Sequence, residues 1–144
     1  MAEAETRLPE QLLERSTLRG NERAWPVGDI PEVIEAARLA DLVSIGGQLQ
    51  FRFPNGETCE CYWVEVDTFK TVPPDLPWSE RVEQTATAAH SQFQGLRERC
   101  DFIAEGKSAF GKYLDEFEAS GGDLSSAQCF VWYVQGPEDA SDRA

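Results

Sequence analysis

With 144 residues, 41% of them hydrophobic, the chain has the length of one domain and enough apolar material to bury a core without disulfide or metal staples. Its 26 acids against 13 bases give a formal charge of -13 spread along the chain; with no run of Lys and Arg, direct binding to nucleic acid or to an anionic membrane surface is disfavoured. No segment offers the ~20 apolar residues of a membrane span, and residues 1–14 lack the hydrophobic run of a secretory leader, so a cytoplasmic location is expected.

Residues 1–6 and 136–144 are small, polar and acid-rich, and are expected to be flexible tails flanking a single globular domain over 7–135. Leu8, Leu12 and Leu13 form the apolar stripe of a short helix ending near Arg15. Arg19 to Gly28 carries loop chemistry, which places Trp25 in a loop. Asp29 is a plausible N-cap, with Pro31 in the first turn and Glu32 three residues on. Ile30, Val33, Ile34, Ala37 and Ala40 then line one face of a helix ending near Asp41.

Leu42 to Ile45 reads as a short strand broken by Gly46-Gly47, followed by a β-hairpin over 48–66. Its turn, Phe53-Pro54-Asn55-Gly56-Glu57, suits a three-residue loop closed by a bulge. That loop opposes Phe53 to Glu57, Phe51 to Cys59 and Leu49 to Cys61, which makes one face apolar throughout. A two-residue Asn-Gly loop would set Phe51 against Glu60 and turn a hydrophobic set outward. Beyond Tyr62 both faces are apolar, so this half of the strand is expected to be central or covered.

A proline-punctuated connector over 71–78 leads to Ser79 as N-cap of a long helix over 79–104. There Val82, Ala86, Ala89, Phe93, Leu96, Cys100 and Ile103 recur at steps of four and three. Gly106 is expected to break or bend it, and Ser108 to Ser120 to resume until Gly121-Gly122. Residues 127–134 are apolar on both faces and predict a central C-terminal strand. The expected fold is α+β: a small, mostly antiparallel sheet of three to four strands packed on one face by the long helix and shorter ones.

The chemistry-bearing residues form no motif. Cys59 and Cys61, with His90 and Cys100, match a zinc site in ligand count but not in spacing, and the hairpin register points both strand sulfurs into the core. A Cys59–Cys61 disulfide is disfavoured by the ~6.6 Å between alternate residues of a strand. His90 and Cys100 stand ~15 Å apart on one helix, too far for a nucleophile pair. Glu105-Gly106-Lys107-Ser108 resembles only the end of a phosphate-binding loop, because Asp101 stands where glycine is needed. No catalytic residue, metal or cofactor is therefore expected.

Trp25 and Trp78, in proline-adjacent segments, are the candidate anchors of a partner-binding surface, with Glu22, Asp29, Asp75 and Glu80 as acidic neighbours suited to a cationic partner. The bland alternative is that each loop folds back and plugs the edge of the core. The expected function is an acidic intracellular protein-binding module, such as an immunity-type inhibitor that neutralises a basic protein. Two other classes stand beside it: a small enzyme or ligand-binding domain with a pocket near His90 and Tyr62, and an acidic mimic of nucleic acid.

Overall fold

In the computed structural model, which describes residues 2–138, the strands β1 (Thr17–Arg19), β2 (Glu22–Pro26), β3 (Val43–Arg52), β4 (Thr58–Asp67) and β5 (Gln128–Gln135) form one antiparallel sheet. The strand order is β1-β2-β5-β3-β4, so the C-terminal strand is central as its two apolar faces required. The helices are α1 (Ala2–Glu5), α2 (Glu10–Arg15), α3 (Ile30–Leu39), α4 (Trp78–Arg99), α5 (Phe102–Ala119) and α6 (Leu124–Ala127). The fold is α+β, as the pattern predicts. Among the described residues no helix is long and apolar enough to cross a membrane.

The core lies between the helices and one face of the sheet. Leu49 and Phe51 of β3, Cys59 and Cys61 of β4, and Phe130 and Trp132 of β5 meet Val33 and Ile34 of α3 and Ala89, Phe93 and Leu96 of α4. Phe93 meets Phe130 edge-on with ring centroids 5.1 Å apart. Each large side chain buried this way stabilises the fold by about 1.5–3 kcal/mol before its ordering entropy is counted.

The hairpin closes as its turn chemistry demands. Phe53 N donates to Glu57 O at 2.9 Å, Gly56 N donates to Phe53 O at 3.0 Å, and Gly56 has a φ of 96°. Phe51 pairs with Cys59, Leu49 with Cys61, Gln50 with Glu60 and Arg52 with Thr58. Turn geometry and hydrophobic pattern agree, so there is no register ambiguity to resolve.

Elsewhere the structure corrects the expectation. Thr17 to Pro26 is a hairpin, not a loop: Arg19 pairs with Glu22 across Gly20-Asn21, and Gly20 has a φ of 61°. These two strands bring the sheet to five. Gly46-Gly47 does not break β3. It sits beside a register shift between Ser44 and Gly46, and a Cβ on Gly46 or Gly47 would overlap the Val66 or Val131 carbonyl. The glycines let three strands run close together.

The helix expected over 79–104 is two helices. Cys100 is extended (φ -120°, ψ 135°), and Asp101 caps α5 by accepting from Ala104 N at 3.1 Å. The heptad-like spacing of Cys100 and Ile103 continues across the break, which hides it from a periodicity reading. Gly106 lies inside α5, where a Cβ would collide with the Phe51 ring. At the N-terminus, residues expected to be mobile form α1. Ala4 joins the core, and buried Glu5 lies 3.4 Å from Arg23 Nε. At the other end Glu138 pairs with Arg7, while 139–144 of the expected C-terminal tail lie outside the described residues.

Candidate interaction surface

The sequence-predicted surface does not assemble. Trp25 is a β2 residue paired with Phe130, 1% exposed, and its Nε1 donates to Leu12 O at 2.8 Å. It is core, and cannot anchor a partner: the alternation of β2, masked by its polar and proline neighbours, turns it inward. Trp78 opens α4 half-buried, with Nε1 donating to Asp41 O at 3.0 Å and the Arg81 guanidinium 5.2 Å from its ring. Glu22 is committed as an acceptor from Gln48 (3.4 Å), Gln50 (3.1 Å) and the Tyr133 hydroxyl. Asp29 pairs with Arg15 at 3.1 Å. Asp75 and Glu80 are exposed, on the connector and in the first turn of α4.

His90 and Tyr62 are not brought together either. His90 Nε2 lies 4.0 Å from Glu35 Oε2 of α3, whereas Tyr62 is on the outermost strand and 72% exposed. Cys59 and Cys61 face the core while Cys129 is buried on the opposite face of the sheet, and burial pushes the Cys61 thiol up to about 12 and the Cys129 thiol to about 11. Such thiols hold their protons at neutral pH and make poor nucleophiles. Among the described residues, no group of three His, Cys, Asp or Glu side chains is placed to hold a metal ion.

What the fold does assemble is a seam between β4 and α5. Leu49 pairs with Cys61 but its predecessor Gln48 pairs with Glu65, so Tyr62, Trp63 and Val64 form a bulge in β4. Bulges re-aim side chains. Val64 and Val66 follow Cys61 into the core, while Tyr62 and Trp63 turn outward, 72% and 42% exposed. This overturns the expectation that the second half of the strand is covered: the apolar residues on both faces belong to an edge strand. The two rings stack edge-on with centroids 5.3 Å apart, and Trp63 Nε1 donates to Glu105 Oε1 of α5 at 2.7 Å.

Further along the seam, a cleft of about 310 Å³ opens between the β3–β4 turn and α5. Phe53, Tyr113 and Phe117 supply its aromatic lining, and Glu57 and Glu116 its carboxylates. Phe53 and Phe117 are in ring contact at 4.8 Å. Glu57, just before β4, and Tyr62 within it are five residues apart, ~16 Å if extended, so the exposed aromatic pair and the acidic cleft are within reach of one extended segment. β4 is the sheet edge, and its backbone on the far side from β3 has no strand partner among the described residues. Of these residues only Tyr62 is a candidate by sequence, and there beside His90, because the bulge and the β4–α5 contact are tertiary. The signal present was the adjacent Tyr62-Trp63 pair in a strand otherwise rich in glutamate.

The chain matches no family model, no curated protein and no solved structure.

Proposed function

We propose that this protein is a protein-binding module that captures a basic partner along the β4–α5 seam, in the manner of a cytoplasmic immunity-type inhibitor. The observation that carries the reading is the coincidence of three features along one side of the fold: the edge of β4, without a strand partner among the described residues, the exposed Tyr62–Trp63 pair on it, and the aromatic cleft between the preceding turn and α5, rimmed by Glu57 and Glu116. A free edge accepts an extended segment through main-chain hydrogen bonds. Exposed tryptophan and tyrosine supply the apolar contact that dominates interface energetics. An aromatic cleft with carboxylates takes a Lys or Arg side chain, each cation–π contact being worth about 0.5–1 kcal/mol at an exposed site.

Charge selects among occupants. A second copy of the chain would bring a formal -13 against -13, and Glu60 and Glu65 of β4, with Glu57 just before it, would face their own kind. A cationic segment meets the opposite condition, and its approach is steered by the acidic surface.

An extended ten-residue peptide alternating arginine and valine, compared with its glutamate counterpart, tests the reading by amide chemical-shift mapping at low salt. Shifts confined to β4 and α5, abolished by Trp63→Ala and weakened by Glu116→Gln, are the expected result. Shifts scattered over the acidic surface, or unchanged in the Trp63 variant, would sink it.

A further inference from the structure

A second concavity opens at the end of the sheet where β1, β2, β3 and β5 meet α2 and α6. The sheet curls so far that Arg19 of β1 donates to Phe53 O at 2.7 Å, to Glu57 O at 2.9 Å and to Thr58 Oγ1 at 2.8 Å. A flat sheet would keep β1 and β3 three strand spacings apart, ~14 Å. Arg52 of β3 answers by donating to Thr17 O at 2.6 Å, Thr17 Oγ1 at 2.8 Å and Glu22 O at 2.9 Å, and to Gln50 Oε1 at 3.0 Å. The curl leaves Gln50 0% and Arg52 8% exposed although neither faces the helices. Between these elements lies a cavity of about 210 Å³ lined by Arg15, Thr17, Arg19, Arg52 and Cys129 among others.

We propose that this cavity binds a small oxyanion, an inorganic phosphate or the carboxylate or phosphoryl group of a small molecule, between the Arg19 and Arg52 guanidiniums. Acids outnumber bases 26 to 13 in the chain, yet among the described residues no Asp or Glu lines the cavity. Arg7, Arg15, Arg23 and Arg38 are all paired with carboxylates. Arg19 and Arg52 have only neutral acceptors among the described residues, two backbone carbonyls apiece plus threonine hydroxyls and the Gln50 amide. A buried cation whose hydrogen bonds all go to neutral acceptors, as those of Arg52 do, is costly, and the half-buried Arg19 charge beside it adds to the cost.

Donors remain for a ligand. A guanidinium carries five N–H groups. The bonds above leave one Nη2 proton of Arg52, and the Nε proton and one Nη2 proton of Arg19, without a protein acceptor among the described residues. Arginine forks match planar carboxylate and phosphate edges, which is the geometry these donors offer. Two further lining groups add no negative charge to a wall that is otherwise largely apolar. Cys129 stays a neutral thiol because burial pushes it up to about 11, and Arg15 has its charge already engaged by Asp29 and Glu32. The volume equals that of about seven waters at ~30 Å³ each, ample for a phosphate. Burial lowers the Arg52 pKa and the neighbouring Arg19 charge acts in the same direction, opposed in part by the Glu22 carboxylate; a bound anion would add to that opposition.

Thermal unfolding at pH 7 in sodium phosphate and, separately, in sodium acetate, each against sodium chloride of equal ionic strength, tests the proposal. A rise of about 5–10 °C over the chloride curve is expected once the ligand reaches a hundredfold its Kd. A response to phosphate alone or to acetate alone names the group that is bound, and either supports the site. Arg19→Gln should reduce the rise to the chloride level while keeping the native circular dichroism, and Arg52→Lys, which keeps the charge but loses the fork, should weaken it tenfold or more. Coincident phosphate, acetate and chloride curves for the unmodified protein, or a full response from Arg19→Gln, would overturn it. The Arg19 variant carries the decision should Arg52→Lys not fold.

Discussion

Trp63 donates its indole N–H to Glu105 at 2.7 Å, tying the bulge of the edge strand to the first turn of α5. The bond holds a large, 42% exposed ring in one orientation on the surface. A pre-oriented aromatic loses less entropy on binding than a free one.

Trp63→Ala is therefore expected to change stability by no more than about 0.5–1 kcal/mol, read from the urea midpoint, because the ring is largely outside the core. Affinity for a cationic partner should fall by about 2 kcal/mol, roughly thirtyfold, in a titration followed by calorimetry. Equal affinity of variant and wild type would remove the seam from consideration.

Trp25 should behave in the opposite way. Its ring is 1% exposed, and its indole N–H satisfies the Leu12 carbonyl. Trp25→Ala is expected to cost about 3–5 kcal/mol, enough to unfold much of the population at 37 °C. Trp25→Phe should cost less, about 2 kcal/mol, through a smaller ring and the lost hydrogen bond. A mild effect in chemical denaturation would show that the tryptophan is not part of the core.

Gly46→Ala probes the crowded β3–β4 contact. The position has a φ of 137°, and an added Cβ would meet the Val66 carbonyl. A loss of about 2 kcal/mol or more is expected from the combined strain and overlap, as a fall of several degrees in Tm. Gly20→Ala, where a Cβ meets nothing within 4 Å, should cost only the left-handed backbone penalty of about 1–2 kcal/mol.

The buried thiols predict an alkaline limit to stability. Cys61 is raised from 9.0 to about 12 and Cys129 from 9.0 to about 11, in both cases chiefly by burial. A pKa raised on folding gives stability that is complete below the unfolded value and is lost as pH rises toward the folded one. Unfolding free energy should thus decline between pH 9 and 12, on the order of 4 kcal/mol at most from Cys61, and Cys61→Ala should flatten that slope in urea titrations. At pH 8, iodoacetamide should modify half-buried Cys100 before Cys59, Cys61 and Cys129, which mass spectrometry of the intact protein can follow.

Local chemistry was enough for much of the fold. The turn Pro54-Asn55-Gly56 and the alternation around it determine the hairpin register, since a one-residue slip would set the apolar face of one strand against the polar face of the other. The apolar stripe of α4 and the two-sided apolar β5 are legible for the same reason: burial on one face or on both leaves its period in the residues. The break at Cys100 was not legible, because the apolar spacing continues through it. Asp101, the capping residue, was the one local sign. Gly20-Asn21 is a similar local sign, with the flanking polar residues disguising β1 and β2 as loop.

The sites depended on what no local pattern encodes. A strand's period says which residues share a face, but not whether that strand is central or at an edge, so Tyr62 and Trp63 became a surface only when β4 took the outer position and bulged. Sequence likewise determined how many arginines the chain has and left their counter-charges open. The curl of β1 over β3 decided that Arg19 and Arg52, 33 positions apart by their numbering, meet one another and neutral carbonyls instead of the abundant carboxylates. Periodicity is a local property of burial, whereas the pairing of distant charges follows from how the sheet closes on itself.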